Sequence, residues 1–102
     1  MSGLSVRRLD QENLVNKEEF AAQLSRQGFG PLVEVEREPN GMMDTHSHPF
    51  DSKALILKGE IRLIVADAEG IYRAGEVFEL SNGTEHVEYY GPQGVCYLVG
   101  RK

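Results

Sequence analysis

The sequence predicts an all-β protein, an antiparallel double-sheet jelly-roll barrel carrying one short N-terminal helix. Two observations point to the barrel. From residue 31 onward, short runs such as LVEVERE alternate apolar with charged side chains, the period of a half-buried strand. Separators containing glycine (PNG, KGE, DAEG, AG, SNG and GPQG) interrupt these runs, at the spacing of about eight to twelve residues typical of sandwiches and barrels. A third observation confines helix to one segment before residue 30.

In chain order, residues 4–8 read as a short strand. Asn16 then opens the helix. Its side chain can accept from the first turn, Glu19 stands three residues on as a capping-box partner, and Val15 and Phe20 occupy the staple positions. Phe20, Ala21 and Leu24 form a narrow apolar stripe, and Gly28 is placed to end the helix. Strands follow over about 32–38, 42–48, 53–58, 60–66, 70–74, 76–80, 86–91 and 95–100, with KGE read as a hairpin turn. Residues 1–30 are expected to pack on a barrel formed by residues 31–102, one domain overall. A chain of 102 residues has room for a single core.

Composition narrows the function classes. A hydrophobic content of 40% with 26% charged residues is that of an ordinary globular protein. A net charge of −5 argues against nucleic acid as a partner, because phosphate binding needs clustered Lys and Arg. No apolar run is long enough for a membrane span and no signal-peptide pattern opens the chain, so neither membrane association nor export is expected. Cys96 is the only cysteine, which excludes an intramolecular disulfide and suits a reducing, cytoplasmic setting. In VCYLVG it reads as a small buried thiol.

The chemistry concentrates in the three histidines. His46 and His48 are two apart on an extended segment and share a face, so they can chelate one ion together. On that spacing Met42 and Asp44 join their face while Met43, Thr45 and Ser47 turn away. His86 ends a second strand-then-turn segment, and a barrel can bring it to the other two. A pair of surface histidines on a strand edge is the bland alternative for His46 and His48 alone.

At these residues the sequence resembles the cupin superfamily, whose small members are single barrels. The first motif of that family, a glycine, His-x-His, a glutamate and a later glycine, is matched by Gly41, His46, His48 and Gly59. The second, from a glycine through a Pro-x-Gly turn to a histidine and then Asn, is matched at Gly75, Ser81, Gly83, His86 and Tyr90. The resemblance covers about residues 32–100. Four departures stand out: Gly41 is one residue closer to His46, Ser81 replaces the turn proline, Tyr90 replaces Asn, and Lys53 falls at the position of the metal-binding glutamate.

The resemblance implies a metal site built from His46, His48 and His86, holding one divalent transition ion such as iron, manganese, nickel or zinc. It implies a homodimer and a small-molecule ligand or substrate. Lys53, Glu88 and Tyr90 are the candidate catalytic residues. Lys53 would neutralise charge on a bound acid, with Glu88 beside it as the anion a buried ammonium requires. The bland reading of Lys53 is a side chain that snorkels out of the barrel mouth. Asp51 is the weaker candidate for a fourth ligand. One function is a metal-dependent enzyme of dioxygenase, decarboxylase or isomerase type acting on a small oxygen-rich acid or diketone. The other is a non-catalytic barrel that binds a carboxylate-bearing molecule and whose metal site is degenerate.

Overall fold

The computed structural model describes the backbone of residues 4–7 and residues 15–102 in full. Residue 8, at the end of the expected first strand, lies outside the described residues. Seven strands and one helix run in the order β1 (Leu4–Arg7), α1 (Lys17–Arg26), β2 (Val33–Arg37), β3 (Met42–His46), β4 (Ser52–Val65), β5 (Ala68–Arg73), β6 (Val77–Leu80) and β7 (His86–Arg101). Every pairing is antiparallel. No helix among the described residues is long and apolar enough to cross a membrane.

Two strands expected as four are continuous. KGE does not turn the chain back: β4 runs through it with register shifts either side of Lys58 and Gly59, and both halves pair with β7. GPQG likewise lies inside β7. The physical reason is the corner of the barrel. Gly59 has φ +77° and a Cβ there would collide with the Gly94 carbonyl, so these glycines let two strands bend past each other. The hairpin turn falls instead at Ala66 and Asp67, and β5 starts at Ala68, two residues earlier than expected.

Bending gives each long strand a place in two sheets. The first half of β4 and the last part of β7 join β6, β1 and β2, while the remaining halves join β5 and β3. Between these sheets lies the main core, which includes Ala54, Ile56, Ile61, Leu63, Phe78 and Tyr97. The opposite face of β4 and its neighbours presents Leu55, Val77 and Leu98 to Phe20 and Leu24 of α1. The helix start forms as the capping pattern predicts: Asn16 Oδ1 accepts from Glu19 N at 2.8 Å and Asn16 Nδ2 donates to Glu19 Oε1 at 2.6 Å. Burial of Phe20 and Leu24, both 1% exposed, anchors the helix to the outside of the barrel.

Candidate metal centre

His46, His48 and His86 do gather, and Glu88 joins them, their donor atoms all lying within 4.8 Å of one another. Ring centroids are 4.2 Å apart for His46 and His86, 5.0 Å for His46 and His48, and 5.3 Å for His48 and His86. Two strands and one turn position them. His46 pairs with His86 across β3 and β7. The turn before β7 is tied to the His48 segment by Gly83 N donating to His48 O at 2.8 Å and Asn82 N donating to Asp51 Oδ1 at 2.8 Å.

A bulge sets which side chains face inward. Between Met43, which pairs with Glu88, and His46, which pairs with His86, β3 has three steps where β7 has two. The extra residue reverses the alternation expected from the sequence. Met43 lines the cavity with the histidines, whereas Met42 is 51% exposed and Asp44 faces solvent.

The hydrogen bonds fix how the imidazoles are protonated. His46 Nδ1 donates to Asp44 O at 2.7 Å and His86 Nδ1 donates to Thr84 O at 3.0 Å. A carbonyl can only accept, so Nδ1 holds the proton and Nε2 turns its lone pair inward. Glu88 Oε2 stands 3.2 Å from each Nε2. His46 Nε2 is buried and, among the described residues, has no hydrogen-bond partner. Lone pairs therefore face a carboxylate, an arrangement relieved by a proton on an imidazole or by a cation held between them.

The electrostatics follow from this crowding. Burial and then the charges of His86 and His46 push His48 down from its ordinary value, which favours the neutral ring a metal requires. Burial lowers His86 as well, but the Glu88 and Thr84 hydrogen bonds outweigh it and leave the group raised. Burial of Glu88 is outweighed by its interactions with His86, once that ring takes up a proton, and with the Tyr90 hydroxyl, so this carboxyl is held below its usual range. Tyr90 Oη donates to Glu88 Oε1 at 2.9 Å and fixes the carboxylate from behind. The donor set of imidazole nitrogens and one carboxylate, with Nδ1 protons on backbone carbonyls and an orphaned Nε2, fits a divalent transition ion.

Lys53 takes a different place from the one expected. Its Nζ donates to Gln27 Oε1 at 3.2 Å and lies 3.8 Å from Glu79 Oε2, on the helix-facing side of β4 with Leu55. It neither lines the cavity nor pairs with Glu88. Strand alternation explains the difference: Ser52 and Ala54 face inward, so Ser52 is the residue of this stretch that lines the cavity. Asp51 is spent on Asn82 N, and its backbone is bonded to Lys102.

A cavity of about 140 Å³ opens over the cluster. Larger grooves of about 290 and 440 Å³ lie elsewhere, away from the histidines. A second trio of donors, Glu34, Glu36 and Cys96, has both carboxylates exposed, and burial pushes the Cys96 thiol up, away from the thiolate a metal needs.

No protein-family model and no curated protein matches the sequence. Solved structures do match. A DUF861 family protein from Thermotoga maritima superposes with a TM-score of 0.65 at 13% identity, covering 97% of this chain and 99% of that one. An RmlC-like cupin from Shewanella frigidimarina gives 0.60 at 16% identity, over 69% of this chain and 63% of its own length. The chain has the cupin fold. Escherichia coli YcfD, a ribosomal oxygenase in complex with cobalt and succinic acid, gives 0.67 at 20% identity, over 83% of this chain but 28% of that one.

In this cupin barrel, the cavity also holds residues that the motifs do not mark. Arg37 at the end of β2, Arg101 at the end of β7 and Phe50 after β3 line it with the histidines. Inward alternation on β2 and β7 could have flagged the two arginines. The placement of Phe50 follows only from the loop path.

Proposed function

We propose that this cupin is a metal-dependent protein whose ion is held by His46, His48, His86 and Glu88 and whose cavity receives a small oxygen-rich molecule. The observation that carries the reading is the orphaned, buried Nε2 of His46 facing Glu88 Oε2, a contact of acceptors that a cation would satisfy. When bound, the ion would act as a Lewis acid toward a substrate oxygen, the chemistry common to oxygenation, decarboxylation and isomerisation. The protein's own residues do the rest. Asp44 and Thr84 carbonyls hold two imidazoles in the ligating tautomer, Tyr90 orients Glu88, and the apolar walls of Phe78, Leu80 and Val99 limit water.

Protein purified without added metal or chelator tests this reading by elemental analysis. One transition ion per chain, lost in His46→Ala and in His86→Ala, is the expected result. A metal at 100 times its dissociation constant stabilises the folded state by about 2.7 kcal/mol, so the melting temperature of the wild type rises on metal addition and that of the variants does not. A chain that stays metal-free at stoichiometric zinc, manganese, nickel and ferrous iron refutes it. Turnover is then sought as oxygen consumption or product formation with small acids and diketones.

The rival reading is a non-catalytic barrel that binds a carboxylate-bearing molecule. It is favoured by the His86–Glu88 contact, which a proton on His86 turns into an ion pair with no metal present. Metal-free protein that binds acids, and whose Glu88→Gln variant loses stability, would select this reading.

A further inference from the structure

We propose that Arg101 and Arg37 form a carboxylate receptor at the mouth of the histidine cavity, so that the molecule entering it is a small organic acid and not a neutral diketone. The proposal deepens the metal reading, on which it rests only for the direction in which the rest of the acid points.

Both arginines, exposed at the surface, contribute to the wall of the cavity that reaches His46, His48 and His86. Neither has a carboxylate within ion-pair distance among the described residues. Glu88 is the carboxylate lining this cavity, and its two oxygens are turned to Tyr90 Oη and to the His46 and His86 Nε2 atoms. In a chain of net charge −5 with 16 acidic residues, two arginines facing one cavity without an acid are left with open donors toward it. An arginine stays protonated at any working pH and binds a carboxylate through two parallel N–H donors.

Their mounting supports a receptor. The Arg101 guanidinium lies 4.8 Å from the Phe50 ring centroid, and Phe50 stacks on His48 at 5.0 Å with 17° between planes. Stacking occupies a guanidinium face and leaves its N–H edge free. One aromatic ring thus ties the anion receptor to a proposed metal ligand. On β2, Arg37 lines the cavity with Tyr97, and its charge opposes the rise of that phenol. A volume of about 140 Å³ lies below the 300–1,000 Å³ of pockets for drug-sized ligands, which limits the acid to a few carbons.

Calorimetric titration of metal-supplemented protein at low salt tests the proposal, with oxalate, malonate and succinate as probes and acetylacetone as the neutral diketone. At least one acid should bind more tightly than acetylacetone, and raised ionic strength should weaken it. Arg101→Gln should lower that affinity about tenfold or more, Arg101→Lys less, with metal content and melting temperature unchanged. Arg37→Gln, on a separate strand, gives an independent reading should Arg101→Gln not fold. Acid affinities unchanged in both glutamine variants, or acetylacetone as the only probe that binds, would overturn the receptor. Arginine-dependent acid binding by protein that takes up no metal would retain the receptor while the metal reading fell.

Discussion

Glu88 Oε2 and His86 Nε2 stand 3.2 Å apart on the same face of β7, with the His86 Nδ1 proton already committed to Thr84 O. A neutral ring in that tautomer offers the carboxylate no donor, so the pair is completed either by a further proton or by a metal ion. The two outcomes give the cluster its testable properties.

Glu88→Gln keeps the shape of the side chain and removes its charge. Metal affinity should fall by at least the 10–100-fold typical of losing a hydrogen-bonded outer partner, as read by competition with a chromophoric chelator. Tyr90→Phe removes only the hydrogen bond to Glu88 Oε1, and its effect on the same assay should be the smaller of the two.

The Tyr97 phenol is pushed up to about 12 by burial, with the Glu88 charge acting in the same direction and Arg37 against it. The unfolded chain ionises this group near its ordinary value of 10.0, so folding keeps the neutral form. A raised folded value contributes stability that is fully present below pH 10 and is lost as the pH climbs toward 12. Tyr90 is raised in the same direction, chiefly by burial. Urea melts should therefore show stability falling above pH 10, and the fall should shrink in Tyr97→Phe. An equal fall in that variant would count against the assignment.

Gly59→Ala should be among the costliest small substitutions. The position combines a left-handed φ of +77° with a Cβ that meets the Gly94 carbonyl. Strain of this kind costs about 1–3 kcal/mol before the clash is relieved. Gly83→Ala provides the control. It has a similar φ of +80°, but a Cβ there meets nothing within 4 Å, so denaturant unfolding should find it less damaging.

Helix α1 is held by burial more than by its cap. Leu24→Ala should destabilise by about 2–5 kcal/mol, and Asn16→Ala, which removes the hydrogen bond to Glu19 N, by about 0.5–2 kcal/mol. Chemical denaturation of both variants checks the order.

Local rules carried much of this protein in its residue order. The Asn16 cap and the Phe20 and Leu24 stripe depend on neighbours a few positions away and form as those neighbours dictate, whereas β2 forms as a strand with only Val35 partly buried and Val33 49% exposed. The spacing of His46, His48 and His86 was equally readable, because strand geometry fixes which residues share a face until a bulge intervenes. Reading Gly59 and GPQG as turns failed for the same local reason: a glycine that lets a strand bend at a corner carries the same composition signal as one that ends it.

What only the tertiary structure decided lies in contacts across the barrel. The extra residue in β3 turned Met43 inward and Met42 outward, and the inward phase of β4 fell on Ser52, sending Lys53 to Gln27 and Glu79 beneath the helix. The approach of Glu88, Arg37 and Arg101 to the histidines joins residues from three strands. Residue order alone does not specify that meeting, because side-chain direction in a sheet reverses with every residue of register, and register is set by pairing with distant strands.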